Sequence, residues 1–159
     1  MTTGILMLLC LAMGAAIGGG AYESLMLNPL WAKSPPASFA IIQPDTGVPL
    51  QRFWIPVHVA ITILGVVALV LTWRVRPVRR LLLVGLAAYV VMRAWSGLCF
   101  IPEMLAFQKV PLTAGPSAEL SARVARWTFW TWFREPLDLV SFVSFLLALR
   151  GGKHGVKPT

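Results

Sequence analysis

Residues 54–73 read Trp54-Ile55-Pro56-Val57-His58-Val59-Ala60-Ile61-Thr62-Ile63-Leu64-Gly65-Val66-Val67-Ala68-Leu69-Val70-Leu71-Thr72-Trp73. No Asp, Glu, Lys or Arg interrupts this run. As a helix it covers about 30 Å, the thickness of a bilayer's hydrocarbon layer. Tryptophans at both ends suit the two membrane–water boundaries. Three further apolar runs flank it, at about Gly4–Met26, Leu81–Ile101 and Trp127–Leu149. The expected class is therefore all-α: an integral membrane four-helix bundle with a structured outer loop between its first two helices.

Composition excludes an ordinary soluble domain. Hydrophobic residues make up 57% of the chain and charged residues 13%, against roughly 25% charged in a globular protein. The net charge of +8 is no nucleic-acid signature, because the basic residues collect at segment ends and no aromatic-basic strand motif accompanies them. Met1-Thr2-Thr3 carries no Lys or Arg, and glycines interrupt the first run, so a retained helix is expected rather than a cleaved signal.

Basic residues also set the orientation. Arg74, Arg76, Arg79 and Arg80 crowd the turn between the second and third runs, and Arg150, Lys153 and Lys157 follow the fourth. By the positive-inside rule these segments and both termini are cytoplasmic. The expected location is a bacterial inner (plasma) membrane, crossed several times. Pro116-Ser117-Ala118-Glu119 starts a helix with Ser117 as its cap. That helix approaches along the interface through Leu120, Val124 and Trp127, then turns inward around Arg134 to Pro136, where proline removes a donor. Gly151-Gly152 is expected to end it, leaving 151–159 as a disordered cytoplasmic tail.

The ionisable residues inside these runs converge. With that topology Glu23, His58, Arg93, Glu103, Arg134, Glu135 and Asp138 all fall in the outer half, as do most of the prolines. A charge at the centre of a spanning helix costs about 2.5–3.5 kcal/mol, so pairing or a wet cavity is required. Arg93, deepest in its run, is expected to find an acid on a neighbouring helix. Arg134 and Asp138, four apart, are expected to pair locally, with Ser141 continuing their face. The candidate catalytic residues are His58, Arg93 and Asp138. Tyr22, Glu23, Trp54, Trp95, Glu103 and Arg134 are candidates for substrate binding. Each has a structural alternative: Arg93 as a helix-locking ion pair, His58 as a satisfied rim histidine, Glu23 as a solvated rim acid.

No metal site is expected, since one histidine within the spans and no Cys-x-x-Cys or His-x-x-Glu spacing supply no ligand set. A haem held by His58 and a methionine is the one metal arrangement the residues leave open. Cys10 and Cys99 read as small core residues. Gly14 and Gly18 form a small-xxx-small spacing, suited to plain packing or to a homodimer. The aromatics Trp31, Trp54, Trp127, Trp130 and Trp132 frame the outer boundary, and Trp95, Phe100, Phe129 and Phe133 could wall a pocket for a flat apolar molecule. The loop Leu27–Phe53 is expected to fold back as a cap, with Gln43-Pro44-Asp45-Thr46-Gly47 as a turn.

Asn28-Pro29-Leu30-Trp31 after a Gly/Ala-rich first helix, a semi-polar outer loop, and Gln51-Arg52-Phe53-Trp54 introducing the second helix together resemble the anthrone oxygenase-like family of small four-helix membrane proteins. The resemblance covers about the first 75 residues in pattern. It implies an enzyme that oxidises a polycyclic phenolic substrate with dioxygen and no cofactor. His58 or Asp138 would then act as base and Arg93 would hold the enolate. Trp31-Ala32-Lys33-Ser34-Pro35-Pro36 is also similar to tryptophan-rich sensory proteins of the translocator type, although those have five helices. The alternative class is a non-enzymatic binder, carrier or accessory subunit whose charges hold an amphiphile or a partner helix. Its expected partners are the lipid bilayer and a lipophilic small molecule.

Overall fold

The computed structural model describes the backbone of residues 2–154 and the side chains of residues 2–151. The described chain is helical, without strands. Helix α1 runs Thr2–Ala32, α2 Gln51–Leu71 and α3 Arg76–Gln108, and these three are long and apolar enough to cross a membrane. Helix α4 is Ala118–Thr131 and α5 is Glu135–His154. At 1.5 Å per residue α1 and α3 reach roughly 46 and 50 Å, well beyond a hydrocarbon layer of about 30 Å. Both therefore exceed the apolar runs that mark them in sequence.

Each long helix contains one wide turn, Glu23–Leu27 in α1 and Ser96–Phe100 in α3. The cause is a proline two residues past the turn. Pro29 and Pro102 have no N–H, and their rings crowd the carbonyls of Leu25 and Leu98. The backbone relaxes by letting the residue before each proline bond five residues back, Asn28 to Glu23 and Ile101 to Ser96. The helix continues through the proline instead of ending there.

In the bundle α1 lies between α2 and α5, and α5 packs closely on α3, while α2 and α3 touch more sparingly. Leu6, Leu9, Met13, Ile61, Ala68, Val78, Leu82, Phe145 and Ala148 fill its centre toward the four-arginine turn. Gly85 lets α3 and α5 meet: a Cβ there would lie 2.5 Å from the Phe145 ring. Outward, many large apolar side chains stay exposed, among them Leu11, Val66, Val70, Val84 and Val90. Such a belt suits lipid rather than water.

A second core sits at the opposite end. Trp31, Phe39, Ile42, Phe100, Phe107, Leu120, Val124 and Trp127 pack together. They come from the tips of α1 and α3, the short 3-10 helix Ala37–Ile42, and α4. Gln108 Nε2 donates to Ile42 O at 2.7 Å and Trp127 Nε1 to Phe100 O at 3.1 Å. The loop between α1 and α2 is thus a folded cap, and Gly47 N to Gln43 O at 2.9 Å closes the expected turn.

Ser117 caps α4 as its sequence signals, its Oγ accepting from Leu120 N at 3.3 Å. The expected turn inward around Arg134 to Pro136 is a full break, so the fourth helix is divided into two. Trp132, Phe133 and Arg134 bond only three residues back, because Pro136 cannot donate to the carbonyl of Trp132. The expected stop at Gly151-Gly152 is also overturned, since α5 continues to His154. Glycine weakens a helix by about 1 kcal/mol without forbidding it. The remaining tail, 155–159, lies outside the described residues.

Candidate functional site

Toward the capped end, side chains from every long helix meet. His58 stands on α2 facing Tyr89 and Arg93 of α3, which are one turn apart and share a face. Arg93 Nη1 lies 2.8 Å from His58 Nε2, and His58 Nδ1 lies 3.1 Å from Tyr89 Oη. A guanidinium can only donate. His58 Nε2 must therefore accept, Nδ1 carries the proton and donates to Tyr89 Oη, and the Tyr89 hydroxyl donates to His58 O at 3.2 Å. The partners fix the imidazole as the neutral Nδ1–H tautomer.

Trp54, one turn before His58, stacks on its ring with centroids 5.3 Å apart and planes at 13°. Its Nε1 donates to Glu23 Oε2 at 2.8 Å. Across the bundle, Arg134 Nη1 donates to Ser96 Oγ at 3.1 Å, and its guanidinium covers the Phe100 ring at 4.1 Å. Glu23 and Ser96 each open one of the two wide turns. Both proline-induced irregularities thus deliver a polar residue to the same cluster. Glu23, Glu135, Asp138 and Arg93 all lie within electrostatic reach of Arg134. Glu135 packs against α1 where Gly20 leaves room, 3.2 Å from the position of an added Cβ.

Pairing departs from the sequence expectation. Arg93 is met by an imidazole, not by an acid. Arg134 and Asp138 form no ion pair, because the Arg134 guanidinium is turned to Ser96 Oγ and the Phe100 ring. Among the described residues the one ion pair is Glu103–Arg123, outside this cluster. Arg134 Nε and Asp138 Oδ1 are buried without a hydrogen-bond partner. Such groups are rare, and each calls for an explanation.

Of the sequence candidates, the fold brings together Glu23, Trp54, His58, Arg93, Arg134 and Asp138. Tyr22 is turned away, 60% exposed, as the 100° step from Glu23 requires. Glu103 and Trp95 line a different groove with Trp127 and Trp130. The wide turn in α3 adds about 100° of rotation and carries Glu103 toward α4. Cys10 is buried but Cys99 is exposed on that groove, contrary to a core role. Phe129 and Phe133 are exposed rather than walling the cluster. Gly14 serves packing inside the bundle, 3.8 Å from Phe142, and Gly18 faces open space. Tyr89 and Ser96 escaped the sequence reading, although both lie one turn from Arg93.

Among the described residues this is the geometry of an all-helical protein with three helices long and apolar enough to cross a membrane and a sheltered polar cluster beneath a folded cap. Comparison with protein-family models, curated proteins and solved structures gave no match.

Proposed function

We propose that the chain is a multi-pass protein of a bacterial inner membrane, in which α5 forms a fourth span and the four-arginine turn and both termini face the cytoplasm. Its polar cluster then lies in the outer half of the bilayer and binds a lipophilic, aromatic molecule with an acidic proton. The reading rests on one observation: Asp138 Oδ1 and Arg134 Nε are buried and unpartnered beside a second arginine, Arg93, that no carboxylate neutralises. A structural lock would consume these groups in pairs. An unpaired acid beside two cations suits a site that takes a proton and holds the resulting anion.

Asp138 is the better base, since the free nitrogen lone pair of His58 is already engaged by Arg93. His58 and Tyr89 position Arg93. Following the anthrone oxygenase-like resemblance, an activated CH2 group loses a proton to Asp138, Arg93 and Arg134 hold the enolate oxygen, and dioxygen adds at carbon. Loss of water leaves a ketone, so CH2 and O2 become C=O and H2O. Both reactants partition into lipid.

The test is oxygen uptake by the full chain in vesicles with an anthrone as probe. Asp138→Asn should lower turnover about 10²–10⁴-fold while probe binding persists. Unchanged turnover in Asp138→Asn and Arg93→Met would dismiss the enzyme. The closed His58–Tyr89–Arg93 loop favours a second reading, a binder or carrier, and binding without oxygen uptake would select it.

A further inference from the structure

A second site lies on the outer side of Phe100, whose ring carries Arg134 on one side and lines a groove on the other. The groove runs between α3 and α4 and encloses about 600 Å³. Its floor and lower walls include Trp95, Cys99 and Trp130, and its upper rim Glu119, Arg123 and Arg126. Along α4 the residues Glu119, Arg123, Arg126 and Trp130 follow one stripe at three- and four-residue spacing. The adjacent stripe, about 100° round the helix, is Leu120, Val124, Trp127 and Thr131, which is buried, with Leu120, Val124 and Trp127 in the cap's core. One helix face therefore grades from charged to aromatic over three turns.

The grading continues below. Leu98 of α3 is 79% exposed, and Phe129, Trp130, Trp132 and Phe133 form an exposed aromatic band where α4 turns into α5. Aromatic bands of this kind mark the level of lipid headgroups. The groove thus has its aromatic end at the boundary between headgroups and acyl chains and its charged end among the headgroups.

The charges at the rim select the occupant. Arg123 is already neutralised by Glu103, with Nε to Oε1 at 2.8 Å and Nη2 to Oε2 at 3.0 Å. Neither Glu119 nor Arg126 forms an ion pair among the described residues. One free acid and one free base on the same stripe complement a zwitterion better than a net anion.

We infer that this groove is a binding site for one zwitterionic phospholipid with a primary-amine headgroup. Arg126 holds its phosphate, Glu119 its ammonium group, and Trp95 and Trp130 the start of its acyl chains. The site is independent of the cluster around His58.

The full chain, purified from membranes in mild detergent, is exchanged into phosphatidylethanolamine, phosphatidylcholine or phosphatidylglycerol, and retained lipid is weighed by native mass spectrometry. One phosphatidylethanolamine per chain is expected. Arg126→Ala should cut retention about tenfold, as loss of a charge-assisted hydrogen bond does. Glu119→Gln should erase the preference over phosphatidylglycerol, and Arg150→Ala, at the other end of the bundle, should change nothing. Arg126 is exposed, so its replacement leaves the fold intact. Equal retention by wild type and Arg126→Ala, or none by either, overturns the site. So does efficient Cys99–Cys99 cross-linking in native membranes, which would make the occupant a second copy of the chain.

Discussion

Replacing Arg93 by methionine separates the two roles that an intramembrane arginine can play. Methionine keeps an unbranched apolar stem but removes the donor that meets His58 Nε2 at 2.8 Å. A hydrogen bond to a charged group is worth about 1.5–3 kcal/mol. That range corresponds to roughly a ten- to hundredfold bias toward the Nδ1–H tautomer at about 1.4 kcal/mol per decade. The same substitution removes a sheltered charge, and replacing such charges by apolar groups is often neutral or stabilising. Thermal stability should therefore change little while the tautomer bias disappears. Nitrogen-15 NMR of labelled histidine, in a His154→Gln background so that one imidazole is observed, reads this directly. The wild type should give a neutral ring with its proton on Nδ1, and Arg93→Met a mixture of tautomers. A wild-type imidazolium, or a proton on Nε2, would refute the assignment of donors on which the site rests.

Other expected outcomes concern packing, capping and the outer ion pair. Gly85→Ala forces a methyl to within 2.5 Å of the fully buried Phe145 ring and should destabilise by about 1–3 kcal/mol in thermal unfolding. Gly65→Ala, which meets the movable tip of Leu86 at 2.6 Å, should cost clearly less. Ser117→Ala removes the cap of α4 and should cost about 1 kcal/mol, with hydrogen exchange quickening first at residues 118–121. Glu103→Gln should cost about 0.2–1 kcal/mol, since both partners are about a third exposed and the pair is screened by salt. The Glu103 hydrogen bonds hold the Arg123 guanidinium above its ordinary range. This raised group contributes fully below its unfolded value and loses that contribution only as pH rises through the folded value in strong alkali. A urea titration from pH 7 to 9 should show no change traceable to Arg123.

Much of the architecture could be read from residues, and the failures have identifiable causes. Trp54–Trp73 declares a spanning helix because nothing charged interrupts it, and Ser117 declares the start of α4 because a short polar side chain precedes an acid and an apolar stripe. The apolar runs end at Met26 and Ile101, short of the ends of α1 and α3, because polar residues and prolines beyond them interrupt the apolar pattern. Tertiary packing of Trp31 and Phe107 in the cap carries both helices through their prolines. The site was legible as a set of charges at one end, but not as a set of contacts. Phase was lost at the wide turn in α3, so Glu103 was assigned to the wrong face. Trp95 precedes that turn, and its two-residue, roughly 200° offset from Arg93 already pointed it elsewhere. Arg134 has the four-residue backbone bond to Asp138, but its side chain is drawn to Ser96 and Phe100 on α3, which spacing along one helix does not reveal. Tyr89 and Ser96 were both recoverable, from their four- and three-residue spacings to Arg93.

The two wide turns also govern how the cap can move. Rigid helix continues on either side of each, so the cap is a stiff extension of α1 and α3 and not a domain on a tether. Bending concentrates where the proline has removed a donor and the ladder is slack, at residues 23–27 and 96–100. A tilt of the cap would therefore displace the Glu23 carboxylate and the Ser96 hydroxyl together. A load on the cap would reach the charges around His58 through those two pivots.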